Sequence, residues 1–135
     1  MKTSAATRYA VQALAHLATL KDTPIVASHI VAQACDLPER YLLKVLKHLA
    51  TAGLLHSNKG PHGGYRLARP AKSITLLEIV EAVDGPVRGV APVVDMAGGA
   101  ALDRRRTAIC DAAANATRKQ LRKVRLSDLA GPRAR

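Results

Sequence analysis

The feature that most constrains the fold of this chain is a glycine-rich stretch at residues 59–67, Lys-Gly-Pro-His-Gly-Gly-Tyr-Arg-Leu. Glycine reaches positive φ without strain and proline presets φ, so together they favour a tight turn. Segments suited to short strands flank the turn, at residues 54–57 and 65–68. The sequence therefore predicts an antiparallel β-hairpin with a positively charged tip.

Two helical patterns precede this hairpin at the start of the chain. Alanine, leucine and tyrosine at helical spacing predict a first helix that begins at Thr3 or Ser4 and continues to about residue 20. A second, short helix is expected over residues 28–35, with Ser28 as its cap. Its buried side is expected to contain Ile30, Val31 and Ala34.

A third helix, expected over residues 38–52, separates apolar from basic residues most clearly. Its core face repeats at i, i+3, i+4 and i+7 with Leu42, Val45, Leu46 and Leu49. Its outer side and first turn carry long polar or basic side chains, and the residues expected to bind a partner are Glu39, Arg40, Tyr41, Lys44 and Lys47. The alternative is that these cations bind no partner and only keep an exposed helical face soluble in water.

This order of elements predicts a winged helix–turn–helix: two helices and a turn are followed by a basic helix and a basic hairpin. Such a fold is mainly α with a small β-hairpin wing (α+β). The third helix would then enter a major groove, while Arg8 contacts a phosphate. The wing would reach the neighbouring minor groove and the phosphates through Lys59, Gly60, Pro61, His62, Gly63, Gly64, Tyr65 and Arg66. An ordinary glycine-rich turn is the alternative, but it does not explain the cations at both ends.

The second half of the chain is expected to add a capped helix and a long dimerisation helix. Thr75 and Glu78 fit a capping box that opens a helix to about residue 83. The long helix is expected to carry Ile109, Ala112, Ala113, Ala116 and Leu121 on one side. The predicted divisions are a DNA-binding domain at 1–85, a linker at 86–101, the dimerisation helix at 102–125 and a tail at 126–135.

The net charge of +11 favours a phosphate backbone as partner. Residues 1–72 contain ten Lys or Arg and three acidic residues, and residues 102–135 contain the same numbers. The segment between these two basic blocks is slightly acidic. Three tyrosines, with no Phe or Trp, are too few for a platform that stacks unpaired bases. No apolar run is long enough to span a bilayer, so we expect no membrane partner and a cytoplasmic location.

Four segments resemble the bacterial Rrf-two family, the group of IscR, NsrR and CymR. They are Arg-Tyr-Ala-Val at 8–11, Tyr-Leu at 41–42, the wing at 59–67 and Glu-Ile-Val-Glu-Ala-Val-Asp-Gly at 78–85. The resemblance is close over residues 1–85 and weak beyond. It implies a homodimer whose long C-terminal helices cross, with two winged heads on a palindromic promoter site.

The chain departs from that family at its iron–sulfur ligands. The best-known members use three closely grouped cysteines, whereas residues 86–109 contain none. We therefore expect no cluster, no other cofactor and no metal site. Cys35 is expected to be a small buried hydrophobe, with a redox thiol as the alternative, and Cys110 is expected to be either a redox thiol or a packing residue. The arginines 104, 105 and 106 either pair with acids across the dimer or extend the DNA footprint.

The pattern indicates a sequence-specific DNA-binding transcriptional regulator, a repressor, with an unidentified effector. No catalytic triad, phosphate-cradling loop or paired carboxylates are found, so we expect no enzyme activity. The alternative is a non-specific architectural DNA-binding or structured-RNA-binding basic protein that uses its two basic blocks as clamps.

Overall fold

The regular structure is helical apart from one two-stranded hairpin in residues 3–88 and 99–131, the part of the chain that the computed structural model describes. The elements follow in the order α1 (Ala5–Thr19), α2 (Ser28–Cys35), α3 (Glu39–Thr51), β1 (Leu55–Asn58), β2 (Gly64–Leu67), α4 (Leu76–Asp84), α5 (Gly99–Lys123) and α6 (Leu126–Leu129). One turn of 3-10 helix, Ala71–Ser73, joins β2 to α4. The predicted mainly α winged fold is confirmed.

The core is built from leucine, valine, isoleucine and alanine where α1, α2 and α3 meet. Leu14 of α1 and the expected leucines of α3, Leu42, Leu46 and Leu49, are completely buried. Each buried leucine contributes about 1.5–3 kcal/mol of hydrophobic free energy. Ser4 caps α1 by accepting a hydrogen bond of 3.0 Å from the backbone N–H of Thr7. These contacts fix the three helices that carry the candidate site.

An antiparallel bridge joins the hairpin to the segment that precedes α2. In β1 and β2 the paired residues are Leu55 with Leu67, His56 with Arg66, Ser57 with Tyr65, and Asn58 with Gly64. Val26 and Tyr65 exchange two backbone hydrogen bonds, N–H of Val26 to Tyr65 at 2.9 Å and N–H of Tyr65 to Val26 at 2.8 Å. This bridge holds the hairpin beside the helices.

The C-terminal elements return to the N-terminal domain. The predicted capping box of Thr75 and Glu78 is present at the start of α4. The backbone N–H of Leu126 donates to Ile74 at 2.8 Å, and that of Leu76 donates to Val124 at 2.9 Å. Leu126 is completely buried in the core, so the tail docks through α6.

The structure differs from the expectations in three places. Ala27, not Ser28, is the N-cap of α2, and Ile30 and Ala34 are exposed. The reason is that this eight-residue helix turns only a narrow side to α1 and α3, which Val31 and Ala32 fill. The long helix begins at Gly99, earlier than expected. Part of the predicted linker, residues 89–98, lies outside the described residues.

Candidate nucleic-acid interface

The outer face of α3 is an exposed basic stripe. Arg40, Lys44 and Lys47 are all exposed and lie at i, i+4 and i+7, opposite the buried leucines. The turn before α3 is set by Asp36, which adopts the left-handed conformation with φ of 54° and ends α2. Its neighbour Leu37 donates its N–H to Ala32 at 2.9 Å. This turn aims the exposed face of α3 away from the core.

The wing tip is the second exposed basic element. Lys59, Gly60, Pro61 and His62 are exposed, and the N–H of Gly63 closes the turn on the carbonyl of Gly60 at 2.9 Å. A cleft of about 370 Å³ separates the wing from α3. Lys47, Lys59 and Ser28 are among the residues that line it. The wing and α3 therefore present their cations on two sides of one cleft.

Two of the predicted wing residues are structural. Gly64 is buried against the backbone of Val26, where an added Cβ would lie 2.3 Å from the carbonyl oxygen. Tyr65 is only 8% exposed, and burial raises the pKa of its hydroxyl. Both residues dock the wing and have little surface left for a ligand. Arg66 is exposed as expected, and its cross-strand partner His56 is exposed beside it, a neighbour that only the register reveals.

The edge of the basic face next to α1 carries two tyrosines. Arg8, which we expect to contact a phosphate, is exposed on α1. The rings of Tyr9 and Tyr41 meet edge to face, with centroids 5.3 Å apart and planes at 87°. Tyr41 is 42% exposed and Glu39 is exposed at the first residue of α3. Sequence reasoning selected Tyr41 but not the tyrosine that supports it.

The carboxylates of α4 are bound within the fold. Asp84 accepts hydrogen bonds of 2.6 Å from the hydroxyls of Ser4 and Thr7. Burial opposes ionisation of Glu78, but hydrogen bonds from Arg69 and from Thr75 outweigh it, so the pKa of this carboxyl is lowered. Internal pairing of these acids leaves the basic face of α3 without a counterion from α4.

Another ion pair ties α5 to α4. The guanidinium of Arg118 lies 3.1 Å from the carboxylate of Glu81. This contact identifies the side of α5 that faces the N-terminal domain. Leu121 is half-buried, whereas we expected it on the apolar side with Ile109. The spacing of twelve residues turns Leu121 about 120° away from Ile109 around a helix of 3.6 residues per turn.

The rest of that predicted apolar side is exposed. Ile109 is 69% exposed, and Ala112, Ala113 and Ala116 are exposed with it. Ile109 and these alanines therefore form an exposed apolar stripe on α5. In the described residues no helix has the length and apolar character needed to cross a membrane.

The two cysteines lie on different helices. Cys35 is half-buried in α2, its thiol 3.7 Å from the carbonyl of Gln12, and burial raises its pKa. A raised pKa disfavours the reactive thiolate, in keeping with a packing role. Cys110 is half-buried in α5, about 100° around the helix from Ile109. Within residues 3–88 and 99–131, no three His, Cys, Asp or Glu side chains are grouped to hold a metal ion.

Comparison with known proteins agrees with this architecture. The IscR regulator of Cereibacter sphaeroides is 39% identical over 101 residues, which are 73% of this chain and 65% of that protein. Rv1287 of Mycobacterium tuberculosis is 37% identical over 90 residues, 67% of this chain and 56% of the relative. The chain thus spans between about half and two thirds of the length of these relatives.

A solved structure and a family profile extend the match to nearly the whole chain. The structure of CymR, described as the global cysteine regulator of Bacillus subtilis, superposes with a TM-score of 0.73 and 28% identity over 96% of both chains. The profile of the Rrf2 family, described as "Iron-dependent Transcriptional regulator", matches residues 3–132. The predicted resemblance is confirmed, and the chain belongs to the Rrf2 family of transcriptional regulators.

Proposed function

We propose that this chain acts as a homodimer that binds a palindromic promoter site in duplex DNA and represses transcription by occluding it. The observation that carries the proposal is the pairing of the exposed stripe on α3 with the exposed tip of the wing across one cleft. Two exposed cationic elements beside one cleft suit duplex DNA, in which grooves alternate with phosphate backbone. A bacterial regulator of this kind would act in the cytoplasm, where the DNA is.

In this proposal α3 reads the major groove. Arg40 and Lys44 are one turn apart in the N-terminal half of α3 and are the candidates for base edges, where an Arg or Lys can bind guanine. Lys47 borders the cleft and binds a phosphate, with Lys59 and His62 following the backbone into the adjoining minor groove. Two such heads would bind half-sites about 34 Å apart.

The dimer contact is proposed on the exposed apolar side of α5. This side consists of Ile109, Ala112, Ala113 and Ala116, and small residues allow two helices to cross closely. The helix has 25 residues and is therefore about 37 Å long, enough to reach across a second copy. Cys110 is turned away from this stripe, so we expect no disulfide between two copies at this residue.

Selection of binding sites from a random duplex pool tests this function against the architectural alternative. The wild type is expected to recover an inverted repeat. Arg40→Ala with Lys44→Ala is expected to relax the preference at the bases they read. The matched control, Lys119→Ala with Lys123→Ala, removes the same charge from exposed positions on α5 and is expected to retain the motif.

The two readings also differ in their salt dependence. A non-specific clamp that uses both basic blocks would lose affinity equally in both double variants, with a similar reduction in the salt slope. Tight, salt-sensitive binding without an enriched motif would contradict the proposed regulator and support the architectural protein.

The iron named in the family description calls for a separate prediction. An iron–sulfur cluster needs several thiolates, and this chain has two cysteines, one on α2 and one on α5. These residues do not fit a cluster, so we propose a member of the family that regulates without one. Iron and acid-labile sulfide are measured in protein purified without oxygen. Stoichiometric amounts of both would contradict this proposal.

A further inference from the structure

Tyr41 is held in a defined orientation at the edge of the basic face. It lies in the first turn of α3, and the ring of Tyr9 contacts it edge to face at 5.3 Å. This geometry is one that aromatic rings prefer. Tyr41 nevertheless remains 42% exposed, and neither phenol hydroxyl hydrogen bonds to another residue in 3–88 or 99–131. The Tyr41 side chain therefore presents its hydroxyl group to solvent in a defined orientation.

The position of Tyr41 around α3 indicates what this hydroxyl group can bind. The residue lies about 100° around the helix from Arg40, on the side next to α1. Lys47 lies on the other side of the stripe and borders the cleft with the wing. When α3 lies in a major groove, a side chain at the edge of its outer face points to the groove wall. That wall is the phosphate backbone, and tyrosine hydroxyls donate to phosphate oxygens.

We propose that Tyr9 is a positioning residue, whose ring holds Tyr41 so that the Tyr41 hydroxyl donates a hydrogen bond to one backbone phosphate at the α1 side of the groove. The inference rests on the proposed DNA-binding function. The residue before Tyr9 on α1, Arg8, is an exposed cation. Because the phenol is oriented before DNA arrives, less side-chain freedom is lost on binding. The contact fixes the register of α3 in the groove.

Single neutral phosphates test the contact. In the selected duplex, one phosphate at a time is replaced by methylphosphonate, at equivalent positions of both half-sites, and the Kd is measured. The wild type is expected to lose about tenfold in affinity for each Tyr41 phosphate that is neutralised, the size of a hydrogen bond to a charged group, and therefore about a hundredfold when both half-sites are modified. Tyr41→Phe, which removes the hydroxyl from both protomers, is expected to lose about a hundredfold on unmodified DNA and to lose much less affinity when that phosphate is modified.

Variants of Tyr9 separate positioning from simple stability. Tyr9→Leu retains the Tyr41 hydroxyl but removes the ring that supports it. Neutralising the Tyr41 phosphate should therefore reduce the affinity of Tyr9→Leu for DNA much less than that of the wild type, as in Tyr41→Phe. Tyr9→Phe keeps the ring and should retain the wild-type profile. Tyr9→Met is measured in parallel, since its flexible side chain fills the site if leucine leaves a cavity that prevents folding. Arg8→Ala is the control and should change the penalty at a different phosphate.

Each outcome supports or overturns the proposed role of Tyr9. If Tyr9→Leu or Tyr9→Met loses as much affinity as the wild type when the Tyr41 phosphate is neutralised, Tyr9 has only a packing role. If Tyr9→Phe loses the penalty as well, the Tyr9 hydroxyl acts and the positioning role of its ring is refuted. If the wild type selects no site at all, the proposed DNA-reading function fails first, and the role of Tyr9 fails with it.

Discussion

Replacing Gly64 with alanine is expected to undock the wing from the segment that precedes α2, Val26 and Ala27. The added Cβ would lie 2.3 Å from the carbonyl oxygen of Val26, 2.5 Å from its carbon and 2.7 Å from the nitrogen of Ala27. All three are backbone atoms, so the strand must move away. That movement breaks the two hydrogen bonds between Val26 and Tyr65, at 2.9 and 2.8 Å. At about 0.5–1.5 kcal/mol each, their loss lowers the free energy of unfolding by about 1–3 kcal/mol.

Urea unfolding measures this loss, and hydrogen exchange locates it. The amides of Val26 and Tyr65 should exchange faster in Gly64→Ala, and DNA affinity should fall because the wing no longer has a fixed position beside α3. Gly53→Ala is the control, since nothing lies within 4 Å of its added Cβ and only its φ of 81° is strained. Unchanged protection of the two amides in Gly64→Ala would refute the docking argument.

Three further predictions concern the junctions around α4 and α5. Asp84→Ala removes the acceptor of a buried threonine hydroxyl, so the free energy of unfolding in urea should fall by about 1–3 kcal/mol; an unchanged value contradicts this role. Arg69 helps to lower the pKa of Glu78. A carboxyl whose pKa is lowered by folding stabilises the fold at pH values above its unfolded-state pKa, and this stabilisation is lost as the pH falls through its folded-state pKa. The difference in the free energy of unfolding between wild type and Arg69→Gln should therefore decrease from pH 6 to below about pH 4. A difference that does not change with pH would show that it does not come from the ion pair of Arg69 and Glu78. Ile109→Glu should yield monomers in analytical ultracentrifugation, whereas Asn115→Asp, an equal change of charge at another exposed position of α5, should not; a dimer in both would place the contact elsewhere.

Local sequence determined the elements that carry the candidate site. The helical spacing of Leu42 and its neighbours placed Arg40 and Lys44 on the exposed face, because a helix has a fixed period. Glycine and proline between two short strand-forming segments were enough for the wing, since turn geometry depends on adjacent residues. The capping box of Thr75 was equally predictable, because its two hydrogen bonds span only three residues.

Only the tertiary structure decided which of these residues remain available to a ligand. Gly64 and Tyr65 read as part of a wing, yet contact with Val26, far along the chain, buries them. Likewise Tyr9 supports Tyr41, although 32 positions separate them in the sequence. Such contacts join elements whose relative placement no local period encodes. They arise because the chain must bury apolar surface and satisfy buried backbone groups all at once, and the packing that achieves both determines which side chains stay exposed.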